Sequence, residues 1–305
     1  MAMEAQAVAA TDAELGVEPS SKPRGLFARA WEVFAENRLA LAGLSFIVFI
    51  LLFCFVGPHL YVTNQTNTDL STYLCKPSGA HLLGCDDLGY DELGRLMVGG
   101  QTSLEVGLAA AVVSVLFGTL YGAISGFAGG VVDALMMRIV DAGLSLPSLM
   151  VIIILSVIFH PTPVVIIFII AVFYWFGVAR LVRGETLTLR NREYVQAVKV
   201  IGGRPLRSVI RHIVPNAIGT IIVQATFAVA DAILTLSVLG FLTLGVAPPS
   251  TDWGSMLSGG LNYIQGGNYW WLIYPPGIAI ILTCIAINFI GDALRDAFET
   301  RLQRR

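Results

Sequence analysis

The chain has 305 residues, 55% of them hydrophobic and 13% charged, with a mean hydropathy of +0.74. An ordinary soluble domain carries about a quarter charged residues, and one this apolar would expose large adhesive patches that lipid accepts without penalty. The net charge of −2 offers no global basic balance for nucleic acid, so composition points to an all-α integral membrane protein.

Residues 1 to about 25 contain Ala, Glu and Ser without periodicity and read as a disordered tail. The first apolar stretch begins near residue 39, too deep for an N-terminal leader. A spanning helix needs roughly 20 apolar residues. Six segments qualify: 39–56, 106–127, 142–159, 164–179, 213–246 and 270–290. The third can begin earlier if Arg138 and Asp141 lie at its cytoplasmic end, and Pro161 and Pro163 close it. The fourth stops at Arg180. The fifth carries a single charge, Asp231, and exceeds one crossing, so part of it tilts or lies outside the core. Trp270 and Trp271 suit an interfacial belt at the start of the sixth.

Basic residues set the orientation. With the N-terminus inside, only Lys76 and Arg95 of the 19 Lys and Arg fall on the exported side, leaving 17 inside. The positive-inside bias therefore predicts six spans with both termini cytoplasmic. Cys75 and Cys85 then lie in an exported, oxidising compartment, where a disulfide closing a small hairpin is expected, two unpaired thiols being the alternative. Cys54 and Cys284 sit in apolar runs as inert hydrophobes. The four histidines are scattered and predict no metal site.

The long cytoplasmic connection, 180–211, holds eight basic residues. Its pattern predicts a helix over 185–200, a turn at Gly202-Gly203 and a second short helix over 206–210 with Pro205 in its first turn. A helix–glycine–helix elbow beneath the bilayer is a shape that plugs into a partner's groove; the alternative is a plain connection whose arginines hold lipid headgroups.

The run Glu193-Tyr-Val-Gln196-Ala197-Val198, then Gly202, then His212-Ile-Val-Pro215-Asn216 resembles the cytoplasmic signature loop of ABC-importer permeases. Gln196 and Val198 depart from the usual Glu and second Ala. Three further stretches resemble the C-type permease of dipeptide and oligopeptide importers. These are His81-Leu-Leu-Gly84-Cys-Asp86-Asp87-Leu-Gly89, with its continuation to Arg95; Gly240 to Pro249 followed by Trp253-Gly254; and Asn288-Phe-Ile-Gly291-Asp292-Ala-Leu294-Arg295-Asp296. In the first, Cys85 and Tyr90 stand where Thr and Arg are usual. The resemblance covers about residues 38–302.

It implies a type I ABC-importer permease in a prokaryotic plasma (inner) membrane. It also implies partners: a homologous second permease, two P-loop ATPase subunits and an extracytoplasmic peptide-binding protein, with no nucleic acid. The chain itself has no Gly-x-x-x-x-Gly-Lys-Ser/Thr loop, so ATP and Mg belong to the partners and this subunit carries neither catalytic residue nor cofactor. Glu193, Gln196, Ala197, Gly202, Arg204 and Arg207 are the implied contacts to the ATPase. The expected organisation is a tail 1–37, a first span 38–57, an exported loop 58–102, a permease core 103–296 with coupling loop 184–211, and a tail 297–305. Nickel or another small solute is the alternative cargo, and a secondary transporter the alternative class, although such a protein usually shows paired intramembrane charges.

Several residues outside the motifs carry expectations of their own. Asp231 either lines the translocation path or hydrogen-bonds the partner permease. Arg138 and Asp141, spaced i, i+3, are expected to pair as an anchor. Gly118, Gly122 and Gly126 make a flat ridge for close helix contact, either within the bundle or between subunits. Asp86, Asp87, Asp91 and Glu92 form an exported acidic cluster expected to be solvated or partner-facing.

Overall fold

The computed structural model describes residues 26–303 except 66, 160–161, 194, 197–206, 208, 264–266 and 268. Among the described residues there are nine principal helices: α1 Leu26–Glu36, α2 Arg38–Phe55, α3 Glu92–Ala128, α4 Gly130–Ser145, α5 Ser148–Ile158, α6 Pro163–Leu189, α7 Ile218–Phe241, α8 Trp253–Leu261 and α9 Tyr274–Gln303. Five helical segments are long and apolar enough to cross a bilayer, and the α4–α5 pair makes a sixth if counted as one bent span.

Local chemistry explains most boundaries. The Asn37 side chain accepts from the backbone N–H of Leu39 and Ala40, capping α2. α3 starts at Glu92 because Asp91 caps it, accepting from Gly94 N–H at 2.8 Å. This is fourteen residues before the expected 106, since Gly94, Gly99, Gly100 and the polar run 101–103 mask the periodicity. The small residues are needed: a Cβ on Gly100 would lie 2.3 Å from Cys54 Sγ and 2.7 Å from the Trp253 ring.

The third span, expected over 142–159 with an earlier start possible, is a bent pair of helices over 130–158. α4 and α5 meet at Leu146-Pro147 with a bend of 80°. Proline removes a backbone donor and pushes its predecessor into extended geometry; Leu146 sits at φ −82°, ψ 139°. The fourth span runs past Arg180 to Leu189, so the first part of the expected cytoplasmic loop is membrane-helix extension. The helix expected over 185–200 is interrupted by a turn at 190–192. The fifth span is resolved into a π-type turn Val209–Ile213, a helical turn Val214–Asn216 and α7.

The glycine ridge of α3 packs against α6, inside the subunit's own bundle. Cβ atoms on Gly118 and Gly122 would stand 2.7 and 2.2 Å from the carbonyl oxygens of Trp175 and Ala179. α2, α7 and α9 bury Ile50, Ile233, Ile280 and Ile287 around Trp253, and α3, α5, α6 and α7 bury Val106, Ile152, Ile170 and Leu236. Outward faces expose Leu116, Ile139, Ile154 and Ile281, as lipid contact requires.

Candidate coupling surface and transport path

α6 carries the basic residues that organise the end of the bundle leading into the long loop. Arg183 donates from Nε and Nη2 to Oδ1 and Oδ2 of Asp133 on α4, both at 2.6 Å, and Ser125 Oγ of α3 adds a third bond to Asp133 at 2.6 Å. Two turns on, Arg190 Nη1 donates to the Gly126 carbonyl at 2.9 Å. Asp141 pairs with Arg180 of α6, not with Arg138 as its i, i+3 spacing suggested. The interhelix partner wins because α4 and α6 run side by side.

The loop grows from this root. Gln196 Nε2 donates to the Arg190 carbonyl at 3.1 Å. Val195, Val209 and Ile213 are buried, whereas Glu193, Gln196 and Arg207 are exposed. Among the described residues of this segment, Val195, Val209 and Ile213 are thus seated on the bundle and Glu193, Gln196 and Arg207 are turned away from it, together with exposed Ile210. Ala197, Gly202 and Arg204, also expected here, lie outside the described residues. At the start of α7, Thr220 Oγ1 donates to Glu185 of α6 at 3.1 Å.

Asp231 lies on α7 with its side chain exposed, and no basic group among the described residues pairs with it. It borders a cavity of about 270 Å3 with Gln224, Tyr174 and Ser148, the last at the α4–α5 bend. Tyr174 Oη lies 2.5 Å from Thr235 Oγ1 and 3.2 Å from the Asp231 carbonyl, which holds the ring beside the carboxylate. Residues on both sides of the bend, Leu146 and Ser148, thus line the same cavity as Asp231.

On the opposite side, Cys75 and Cys85 form a disulfide with sulfurs 2.10 Å apart. Cys85 N–H donates to the Cys75 carbonyl at 2.9 Å. Asp91, 3% exposed, accepts from Tyr61 Oη and faces His81 Nδ1, each at 2.9 Å. His81, Cys75 and Cys85 bring potential metal-donor atoms within 4.8 Å of one another, a cluster that scattered histidines did not suggest, with both sulfurs already joined. Asp252 caps α8, accepting from Gly254 and Ser255 N–H and from Ser255 Oγ. A Cβ on Gly240 would fall 2.1 Å from its carboxylate, so the glycine lets α7 approach this cap. Trp253 Nε1 donates to the Leu96 carbonyl at 2.9 Å, tying the cap to α3.

The comparisons give this arrangement a family. Residues 118–304 match the family model described as "Binding-protein-dependent transport system inner membrane component", and residues 25–77 match "N-terminal TM domain of oligopeptide transport permease C". The chain is 39% identical to the dipeptide transport system permease protein DppC of Bacillus subtilis, over 90% of this chain and 86% of the relative. It is 40% identical to the oligopeptide transport system permease protein OppC of Escherichia coli, over 91% of this chain and 92% of the relative. With OppC of Haemophilus influenzae the identity is 39%, covering 91% and 89%. This chain belongs to the family of binding-protein-dependent transport system inner membrane components.

Proposed function

We propose that the protein is the C-type permease subunit of an ATP-driven peptide importer, with both termini cytoplasmic and a type I importer architecture. It is a multi-pass protein of a prokaryotic inner membrane, and family membership makes it a non-catalytic subunit without a cofactor of its own. The relatives' names support peptide as cargo. In this reading the chain forms half of a translocation pathway with a homologous second permease. Each permease rests on one P-loop ATPase subunit, and an extracytoplasmic peptide-binding protein delivers cargo. The permease core corresponds to 103–296, following a first span over 38–57 and an exported loop over 58–102.

The observation that carries the coupling role is the two-faced segment after α6. Val195, Val209 and Ile213 are seated in the bundle, while Glu193, Gln196 and Arg207 face out. Arg183–Asp133 and Arg190–Gly126 fix the base of that segment to α3 and α4, so displacement of the polar face moves packed helices as a body. Ala197, Gly202 and Arg204, outside the described residues, are the remaining ATPase contacts in this reading. Asp231 lines the path, since an intramembrane carboxylate faces a bundle interior, a pore or a partner rather than lipid.

The test is co-purification with the second permease and the ATPases, then ATP hydrolysis across a peptide panel with the cognate binding protein. Peptide-dependent stimulation is expected, and Gly202→Asp abolishes it. Stimulation unchanged by Gly202→Asp removes the coupling assignment, and transport without ATP removes the importer reading.

A further inference from the structure

A second cavity, of about 330 Å3, lies between the first turn of α3, the loop after α7, and α8. α3 has 37 residues and is about 55 Å long, well beyond a hydrocarbon core of roughly 30 Å. Its Glu92 end therefore projects from the bilayer on the side of the Cys75–Cys85 hairpin.

Three carboxylates line this cavity: Asp86, Asp87 and Glu92. Two are engaged. Asp86 accepts from the N–H groups of Leu88 and Tyr90 at 3.0 and 2.8 Å and faces Arg95 Nε at 3.8 Å. Asp87 accepts from Tyr263 Oη at 3.2 Å. Glu92 differs: it is 3% exposed, and its carboxylate makes no hydrogen bond or ion pair with any described residue. A buried carboxylate without a partner is costly, and its complement is a cation bearing N–H donors.

Arg95 does not fill that role. It stacks 4.4 Å over the Tyr90 ring, donates to the Pro249 carbonyl at 3.4 Å and pairs with Asp86; its charge also favours ionised Glu92, but without an ion pair or hydrogen bond to that carboxylate. A metal ion fits poorly as well. Among the described residues these three carboxylates do not converge to ligand spacing, which only Cys75, His81 and Cys85 reach. The cavity is half open, and its volume lies at the lower end of the small-ligand range. Ser255, Ser258 and Asn262 add hydrogen-bonding groups, and Met256 and Leu272 add apolar wall.

We propose that this cavity is a subsite for the ammonium terminus of a peptide, with Glu92 and Asp87 as its counter-charges. The inference rests on the peptide-importer reading and deepens it, placing a cargo-recognition point on the permease at the exported end of the path.

The test compares direct binding of Ala-Ala and N-acetyl-Ala-Ala to the purified importer in nanodiscs, without its binding protein. Ala-Ala is expected to bind about tenfold more tightly than the acetylated form. Glu92→Gln and Asp87→Asn each erase that preference. Asp87→Asn decides the matter if Glu92→Gln does not fold. Equal binding of the two peptides, binding of neither, or a preference that survives both substitutions overturns the proposal. So does a preference that appears only with the binding protein docked, which would give these carboxylates to a lysine of that partner. Peptide-stimulated ATP hydrolysis in the same preparations reports on the importer reading separately: if it persists while the preference is absent, only the subsite is lost.

Discussion

Arg183 grips Asp133 with both arms of its guanidinium, Nε to Oδ1 and Nη2 to Oδ2, each at 2.6 Å. The Arg183 side chain is 32% exposed and Asp133 10%, so the pair is neither fully solvated nor sealed. A bidentate bond in such a place contributes more than a surface ion pair, about 1–3 kcal/mol. Arg183→Ala and Asp133→Asn are each expected to lower the thermal unfolding midpoint in detergent. Both should also weaken peptide-stimulated ATP hydrolysis more than basal hydrolysis. A double-mutant cycle checks the pairing: the double variant should lose clearly less than the sum of the singles.

The glycine ridge makes a sharper packing prediction. Gly122→Ala brings a Cβ to 2.2 Å from a backbone oxygen of α6, which cannot yield without separating the helices. Gly184 on α6 has open space around its missing side chain. Gly184→Ala should therefore be neutral or stabilising by roughly 0.5–1 kcal/mol, since alanine loses less backbone entropy in a helix. Gly122→Ala should reduce the yield of folded protein, read by size-exclusion chromatography. Equal behaviour of the two variants would contradict this packing.

The five long apolar helices and the apolar α4–α5 pair were legible because lipid demands about 20 apolar residues per helix and leaves that demand in the sequence. What stayed hidden was chemistry between helices. Asp133 carries no motif, and nothing in its neighbours names Arg183, fifty residues on. The spacing matches Asp141 to Arg138, but the side-by-side packing of α4 and α6 gives it Arg180. Pro147 is the visible signal for the bend; its uncharged flanks read as one continuous span. At the coupling segment the resemblance singled out Glu193, Gln196 and Arg207, and the alternation of buried Val195 with exposed neighbours supplies the physical reason they face outward.

The exported hairpin can be checked chemically. Cys75 and Cys85 are separated by 10 residues. Closing so short a loop restricts the unfolded chain by about 2–3 kcal/mol in the loop-entropy account. Non-reduced peptide mapping should return a Cys75–Cys85 cross-linked peptide, with Cys54 and Cys284, both buried, slow to alkylate. Cys75→Ser should speed proteolytic nicking within 58–91 while leaving the spans intact.

Asp252 gives the exported cap a pH response. Burial pushes its carboxyl above the ordinary range, outweighing the bonds from Ser255, Val246 and Gly254 that pull it down. A carboxyl whose folded pKa is raised favours the folded state while protonated. Stability is therefore lost as pH climbs from about 4, the unfolded value, through the raised folded value. The unfolding midpoint should fall with rising pH across that window. Asp252→Asn keeps the capping oxygen but removes the charge, so the slope should flatten.

Asp231 offers the cleanest separation of transport from folding. Holding an ionised aspartate at the centre of a span costs roughly 2.5–3.5 kcal/mol on insertion scales. No described basic residue offsets that cost, and the side chain opens onto the cavity shared with Gln224, Tyr174 and Ser148. If the carboxylate lines the path, Asp231→Asn should reduce uptake in proteoliposomes while raising the unfolding midpoint, because a charge leaves the membrane and no bond is broken. A purely structural aspartate bonded to the second permease predicts the reverse pairing: less stable complex, and uptake lost only in proportion to complex lost. Measuring uptake per assembled transporter distinguishes the two, and normal uptake by the variant would remove Asp231 from the pathway.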